Sequence, residues 1–391
     1  MIAVVGGTVF TPAREIPDGA VLVEGHRVVA VGPRRMVAIP TGAEVIDVQG
    51  GYIAPGFMDI HCHGAAGMDF NGADNTIADL RRAAAFKAAH GTTSFLATVA
   101  TASPAATRRA LDLVHRAVGA DGGAELLGAQ AEGPYFNPDA AGAQAAEHLR
   151  RPSLAELDCW LDVCPELRLV SLAPELEGAL EYIAGARARG LTLSVGHSHA
   201  TYDQVMAAVA AGLTHATHLF NAMGGFHHRW LDTAGAVLSR DEITAETILD
   251  YIHLHPAAVR IIARVKGPGR MALITDAMPA AGLPEGEHDW DGRRITVRQG
   301  LVQLPDGTVA GSVLTMDRGL RNLVSAGIPL RDALTMAAAT PADSIGLAER
   351  KGRLACGLDA DLVVLNQDLQ VQLTMVRGTV VSRTEGNPDA L

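Results

Sequence analysis

The sequence predicts an α/β protein: a (β/α)8 TIM-type barrel joined to a small β-sandwich domain built by both chain ends. Three observations predict it. The two ends share a Val-rich alternating texture broken by Gly, Asp and Pro. The stretch between them repeats a strand-then-helix unit. The residues fit for chemistry fall at strand ends, where barrels of this kind place their sites.

Residues 1–53 supply the first part of the small β domain, with "AVVGGTVFT", "GAVLVEGHRVVAVGP" and "AEVIDVQGG" reading as short strands and turns. The same texture returns in 351–391, within "GLDADLVVLNQDLQVQLTMVRGTVV", which supplies the second part. Residues 54–350 form the barrel. Its strands read as "GFMDIHCH", "TTSFLATVA", "ELLGAQAEG", "LRLVSLAPE", "LTLSVGHSH", "THATHLFNA", "AETILDYIH" and "RMALITDA". Helical stretches such as "ADLRRAAAFKAAH", "PAATRRALDLVHRAVG", "TYDQVMAAVAAG" and "HPAAVRIIARVKG" separate most of them. A doubly wound open sheet is the competing architecture, but its Gly-rich phosphate loop is missing: neither GxGxxG nor GxxxxGK[ST] occurs.

Composition narrows the function. Hydrophobic residues at 48% and charged ones at 19% suit a globular chain with a large interior, and aromatics at 4% argue against base-stacking platforms. A formal net charge of −11 disfavours nucleic acid and anionic membranes as partners, so an anionic substrate needs a local cationic pocket. The start "MIAVVGGTVF" lacks a basic n-region, and no apolar run is long enough to span a bilayer. The four cysteines have no zinc-finger spacing, which makes a reducing, cytoplasmic setting the expectation.

The strand ends carry the chemistry. In "IAPGFMDIHCH" alternation sends His61 and His63 to one side and Cys62 to the other, where a buried apolar role suits it. With 15 histidines in the chain, that pair alone decides nothing. However, Glu132 ends the third strand, His197 the fifth, His218 the sixth and Asp276 the eighth. Imidazoles and carboxylates converging in this way are ligands for Zn²⁺ and similar divalent ions. His199 reads as peripheral or solvent-facing, and His215 as facing the barrel wall or a helix.

The stretches "PGFMDIHCHG", "AEGPYFNPDAAGA", "VGHSHATYDQ", "THLFNAMGGFHHR", "ITDAMPAAG", "VAGSVLTMDRGLRNLV" and "GRLACGLDADLVVLN" run in order from residue 54 to about 365. In them the sequence resembles the metal-dependent amidohydrolase superfamily, and within it the N-acetylglucosamine-6-phosphate deacetylases. The resemblance implies hydrolysis of the acetamide of N-acetyl-D-glucosamine 6-phosphate to D-glucosamine 6-phosphate and acetate. It makes Glu132, His197 and His218 the principal metal set, with His61 and His63 completing a second position. The ion is most readily Zn²⁺, with Fe²⁺, Co²⁺ or Mn²⁺ as alternatives, one or two per chain. Asp276 matches the catalytic aspartate. Arg229 and His253 match the groups that hold the sugar phosphate, and Ala143, Gln144, Asn221, Ala222, Val309, Ala310 and Gly311 match other sugar contacts. A homodimer, or a tetramer of such dimers, is implied, with Arg229 reaching the neighbouring active site.

Two positions depart from the family pattern. Gln144 stands where a histidine is usual; it donates a neutral hydrogen bond but cannot become cationic. Tyr251 replaces a small glycine and is expected to narrow the sugar pocket. Both leave room for a sister activity such as deacetylation of N-acetylgalactosamine 6-phosphate. A cyclic-amide hydrolase loses ground because the fourth strand, "LRLVSLAPE", has no lysine to bridge metals. A non-catalytic sugar-phosphate sensor is opposed by the intact ligand set and Asp276.

Overall fold

The computed structural model describes residues 1–290 and 292–384. Eight strands form the barrel: β1 (Phe57–Asp59), β2 (Thr92–Ala100), β3 (Glu125–Glu132), β4 (Leu167–Leu172), β5 (Thr192–Val195), β6 (His215–Ala216), β7 (Thr244–Ile248) and β8 (Met271–Ile274). Neighbours along this order pair in parallel. The ring closes just past β1 and β8, where Cys62 bridges Ala277 and the Asp276 N–H donates to the His61 carbonyl at 2.9 Å.

A helix follows each strand: α1 (Ile77–Ala89), α2 (Pro104–Ala117), α3 (Leu154–Val163), α4 (Ala179–Ala188), α5 (Tyr202–Ala211), α6 (Thr233–Ser239), α7 (Pro256–Lys266) and α8 (Met316–Ser325). Their starts are written in the sequence. Thr76 with Asp79 and Thr201 with Gln204 form reciprocal capping boxes, and Ser103 caps α2 just before Pro104. Alternation along β2 shows how strand period becomes layers. Phe95, Ala97 and Val99 share a core with Leu80 of α1 and Leu111 of α2, while Leu96 joins Met58, Leu127, Leu169 and Ile274 in a separate one.

The chain ends build one connected sheet, in the order Thr379–Arg383, Val371–Val376, Leu362–Leu365, Tyr52–Pro55, Ile2–Phe10, Glu15–Glu24 and Arg27–Pro33, with Glu44–Asp47 also paired to Ile2–Phe10. Of the 351–391 segment expected in this domain, 385–391 lie outside the described residues. Val4, Val21, Ile53, Leu362 and Met375 form the sheet's own core, while Ala54 and Val363 point the other way into the barrel's. Beneath β3, Lys351 Nζ is buried among Glu125 (2.5 Å), Asp361 (2.5 Å) and Asp359 (3.2 Å). These three carboxylates could hold a metal by spacing alone, but an ammonium already stands between them.

An insertion between β8 and α8 was not foreseen. Gly286–Trp290, Arg293–Arg298 and Leu301–Gln303 form a three-stranded antiparallel sheet that brings Trp290 and Arg293 to the rim of the site. The alternating "ITVRQGLVQ" with its Gln299-Gly300 turn is the signal that could have found it.

Candidate metal centre and substrate cavity

His61, His63, Glu132, His197, His218 and Asp276 meet above the barrel strands, all buried. Glu132 lies at the centre, with both carboxylate oxygens turned to histidines. Its Oε1 faces His218 Nε2 at 3.0 Å, His197 Nε2 at 3.3 Å and His61 Nε2 at 3.5 Å, and its Oε2 faces His63 Nε2 at 3.2 Å. Asp276 Oδ1 stands 3.2 Å from His63 Nε2 and 3.5 Å from His61 Nε2. Cys62 is turned into the sheet–helix core, as alternation requires.

Backbone strain aims these side chains. His197, His218 and Asp276 have φ of 46°, 28° and 50°, where non-glycine residues cost on the order of 1–3 kcal/mol each. Surrounding hydrogen bonds hold them there. The His197 carbonyl accepts from the Asn137 N–H at 3.1 Å, and the Asp276 carbonyl from the Ser312 N–H at 2.8 Å. Gly311, itself at φ 58°, passes so close that a Cβ would lie 3.0 Å from the Asp276 carbonyl oxygen.

The ring tautomers are set from behind. His197 Nδ1 lies 2.9 Å from the Ala140 carbonyl, and His61 Nδ1 lies 2.8 Å from Glu246 Oε2. Donation from Nδ1 leaves Nε2 as the inward ligand atom. Among the described residues His61 Nε2 is buried without a hydrogen-bond partner, which an ion would supply.

Charge points the same way. Burial works against the ionised form of Glu132, yet the surrounding His61, His197, His218 and His63 hold its carboxyl well below the usual range. Asp276, likewise opposed by burial, is held down by His61 and His63. Burial would lower the two imidazoles, but facing carboxylates push His61 up to about 9 and His63 up to about 10. So much buried negative charge calls for positive charge at its centre, from protons or from a divalent ion that displaces them. Two groups, His61/His63/Glu132 and Glu132/His197/His218, each bring their ligand atoms within 4.8 Å of one another. The donor set therefore fits such an ion.

A cavity of about 470 Å³ opens over this cluster. Of the predicted contacts, Ala143, Gln144, Asn221, Ala222, His253, Val309 and Gly311 line it. Ala310 does not; it is buried in a small core beside Trp290 and Ile295. Arg229 does not either. It is exposed on the 225–231 loop, its Nε donating to His228 Nε2 at 3.0 Å.

Gln144 is fixed by two contacts. Its Oε1 accepts from the Thr101 N–H at 2.9 Å, and its Nε2 donates to Glu132 Oε2 at 2.6 Å. Tyr251 departs from expectation: its hydroxyl donates to the Asn322 carbonyl on α8, and the ring does not line the cavity. His199 sits at the rim, exposed as expected. The reading of His215 is corrected. It lies buried beside Glu246, with Nε2 at 3.0 Å from Oε1, because it alternates with the core-facing Ala216.

Glu246, Trp290 and Arg293 were missed. Arg293 spans the cavity rim, donating from Nη1 to the Ala143 carbonyl at 2.8 Å with its guanidinium 4.4 Å from the Trp290 ring centroid. A lone carboxylate inside the strand-forming "AETIL" was the signal for Glu246, since a buried charge demands partners.

Known proteins resemble this chain throughout. The Amidohydrolase family profile matches residues 52–381. An N-acetylglucosamine-6-phosphate deacetylase of Vibrio furnissii is 38% identical over 91% of this chain and 88% of its own. An N-acetylgalactosamine-6-phosphate deacetylase of Escherichia coli O157:H7 is 36% identical over 88% and 91%. The solved structure of an N-acetyl-D-glucosamine-6-phosphate deacetylase variant from Mycobacterium smegmatis, in complex with N-acetyl-D-glucosamine-6-phosphate, superposes with a TM-score of 0.90 at 36% identity, covering 97% of this chain and 99% of that one.

Proposed function

Since the chain belongs to the amidohydrolase family and is a hydrolytic deacetylase of amino-sugar metabolism, we propose that its substrate is N-acetyl-D-glucosamine 6-phosphate. The products are D-glucosamine 6-phosphate and acetate. The observation that carries this reading is the cavity itself, which sets the His/Glu cluster and Asp276 within one chamber with His253.

An acetamide is a poor electrophile with a poor leaving group. His61, His63, Glu132, His197 and His218 would hold one or two divalent ions, Zn²⁺ above all. Such an ion supplies a water acidified towards neutrality and positive charge for the carbonyl oxygen. Asp276, ionised and adjacent to the ligand rings, takes the water's proton and returns it to the departing nitrogen. Gln144, whose amide orientation is set by the Thr101 N–H, orders Glu132 at the cavity wall. His253, backed by Asp250, takes the phosphate, and Asn221 and Ala222 meet the sugar from the cavity wall.

Arg229 completes the phosphate site from a second copy of the chain. In support, it lies outside its own cavity on a loop whose Phe226 and Trp230 are 60% and 65% exposed, apolar surface suited to a dimer interface. A cytoplasmic setting suits the four free cysteines. Among the described residues no helix is long and apolar enough to cross a membrane.

Acetate release tests the reading, measured on metal-analysed protein with free and 6-phosphorylated N-acetylglucosamine and N-acetylgalactosamine. The relative from Escherichia coli O157:H7 is the reason for the epimer arm. The expected result is fastest turnover of N-acetylglucosamine 6-phosphate; preference for the galactosamine epimer would reassign the substrate.

A further inference from the structure

Glu246 is fully buried on β7 and does not line the cavity, so it cannot touch a substrate there. Its contacts are nonetheless all with the metal cluster or its backing. Oε2 accepts from His61 Nδ1 at 2.8 Å and from the His218 backbone N–H at 3.2 Å. Oε1 accepts from His215 Nε2 at 3.0 Å.

One oxygen therefore serves both halves of the cluster. On the β1 side it keeps the His61 proton at Nδ1, so that the partnerless Nε2 is the atom facing Glu132 and Asp276. On the β6 side it grips the backbone of His218 at φ 28°. A neutral acceptor could satisfy the same geometry. Only an ionised one also raises the basicity of the ring it faces, and hence its strength as a ligand. His215 backs Glu246 in turn: its Nε2 meets Oε1, and among the described residues its Nδ1 has no hydrogen-bond partner.

We propose that Glu246 is a positioning residue that sets the affinity of the His61/His63 ion position, and through the same oxygen holds His218 for the neighbouring one. This rests on the metal-centre reading above, and the two can fail separately.

The test strips the purified protein with a chelator and titrates Zn²⁺ back against a chromophoric competitor, for wild type, Glu246→Gln and Glu246→Ala. Gln keeps the shape and an acceptor oxygen but loses the charge. It is expected to weaken one ion position by about 10–100-fold, the usual cost of losing such a partner, and to leave the other close to wild type. Ala releases the His218 backbone as well and is expected to weaken both. Loaded with Co²⁺ instead, Glu246→Gln should show shifted visible bands, which a purely structural carboxylate would not produce. If Glu246→Gln binds every ion that wild type binds with equal affinity, the inference is overturned, even where the ion-free variant melts at lower temperature. If wild type itself takes up no divalent ion, the metal-centre reading falls first. Should Glu246→Ala fail to fold, the Gln variant alone decides.

Discussion

His253 Nδ1 stands 2.7 Å from Asp250 Oδ2, and the other oxygen of that carboxylate accepts the His253 backbone N–H at 2.9 Å. Burial would strip the proton from this imidazole, but Asp250 outweighs it and pushes the His253 pKa up. A raised value keeps the ring cationic above the ordinary ~6.5 of histidine, and the charge is lost as pH rises through the raised value. Preference for phosphorylated over free sugar should therefore persist above the pH at which an ordinary histidine loses its charge and then decline. Asp250→Asn should move that decline to lower pH. The ratio of kcat/KM for the two sugars, measured against pH, checks it; coincident profiles for wild type and variant would refute the pairing's role.

Asp276→Asn preserves shape and an acceptor but removes the base. We expect kcat to fall by ~10²–10⁴-fold, the range for a positioned general acid–base group, with substrate still bound. Near-normal turnover in the metal-loaded variant would exclude Asp276 as the proton carrier.

His61 and His63 belong to one half of the cluster and His197 and His218 to the other, with Glu132 shared. Elemental analysis of protein reconstituted with excess Zn²⁺ should approach two ions per chain. Replacing both His61 and His63 by Ala should bring it towards one. A stoichiometry indifferent to that double change would remove the pair from the site.

Arg229→Ala should erase most of the preference for phosphorylated substrate, because a guanidinium–phosphate pair gains charge-assisted hydrogen bonds stronger than neutral ones. Mixing Arg229→Ala chains with Asp276→Asn chains should restore activity in hybrid dimers, each with one complete site. A fully active monomer in sedimentation would dismiss the cross-subunit role.

Lys351→Met should destabilise the fold by about 3–5 kcal/mol, the range for breaking a buried ion pair by removing one partner. It strands Glu125, Asp359 and Asp361 with Arg350 as the remaining cation beside them. Urea unfolding checks this, and a change within about 0.5 kcal/mol, as for an ordinary surface substitution, would count against it.

How far the sequence could be read depended on whether a relationship was local. His61 and His63 were legible because a period of two fixes their common side, and Asp276 because it ends an apolar run. The relation of His61 to Glu246 was not, since it joins the end of β1 to β7, between residues far apart in the chain. The inward turn of His215 followed from strand parity, but β6 is two residues long, too short to show a parity in its apolar pattern. Tyr251 misled because residue size was visible and direction was not: at φ 66° the chain turns its hydroxyl towards α8. Strain at His197, His218 and Asp276 leaves no mark in the sequence either, because none is a glycine.

The strand Tyr52–Pro55 pairs on one flank with Ile2–Phe10 and on the other with Leu362–Leu365. During synthesis on the ribosome its second flank stays bare until that late segment emerges. The roughly 300 residues between them take on the order of 15–60 s at the usual ~5–20 residues per second. Throughout that interval the Tyr52–Pro55 edge awaits a specific partner, the kind of edge that invites pairing with other chains. The sheet that joins these distant segments in the finished molecule thus leaves the nascent edge in need of protection until Leu362–Leu365 has been made.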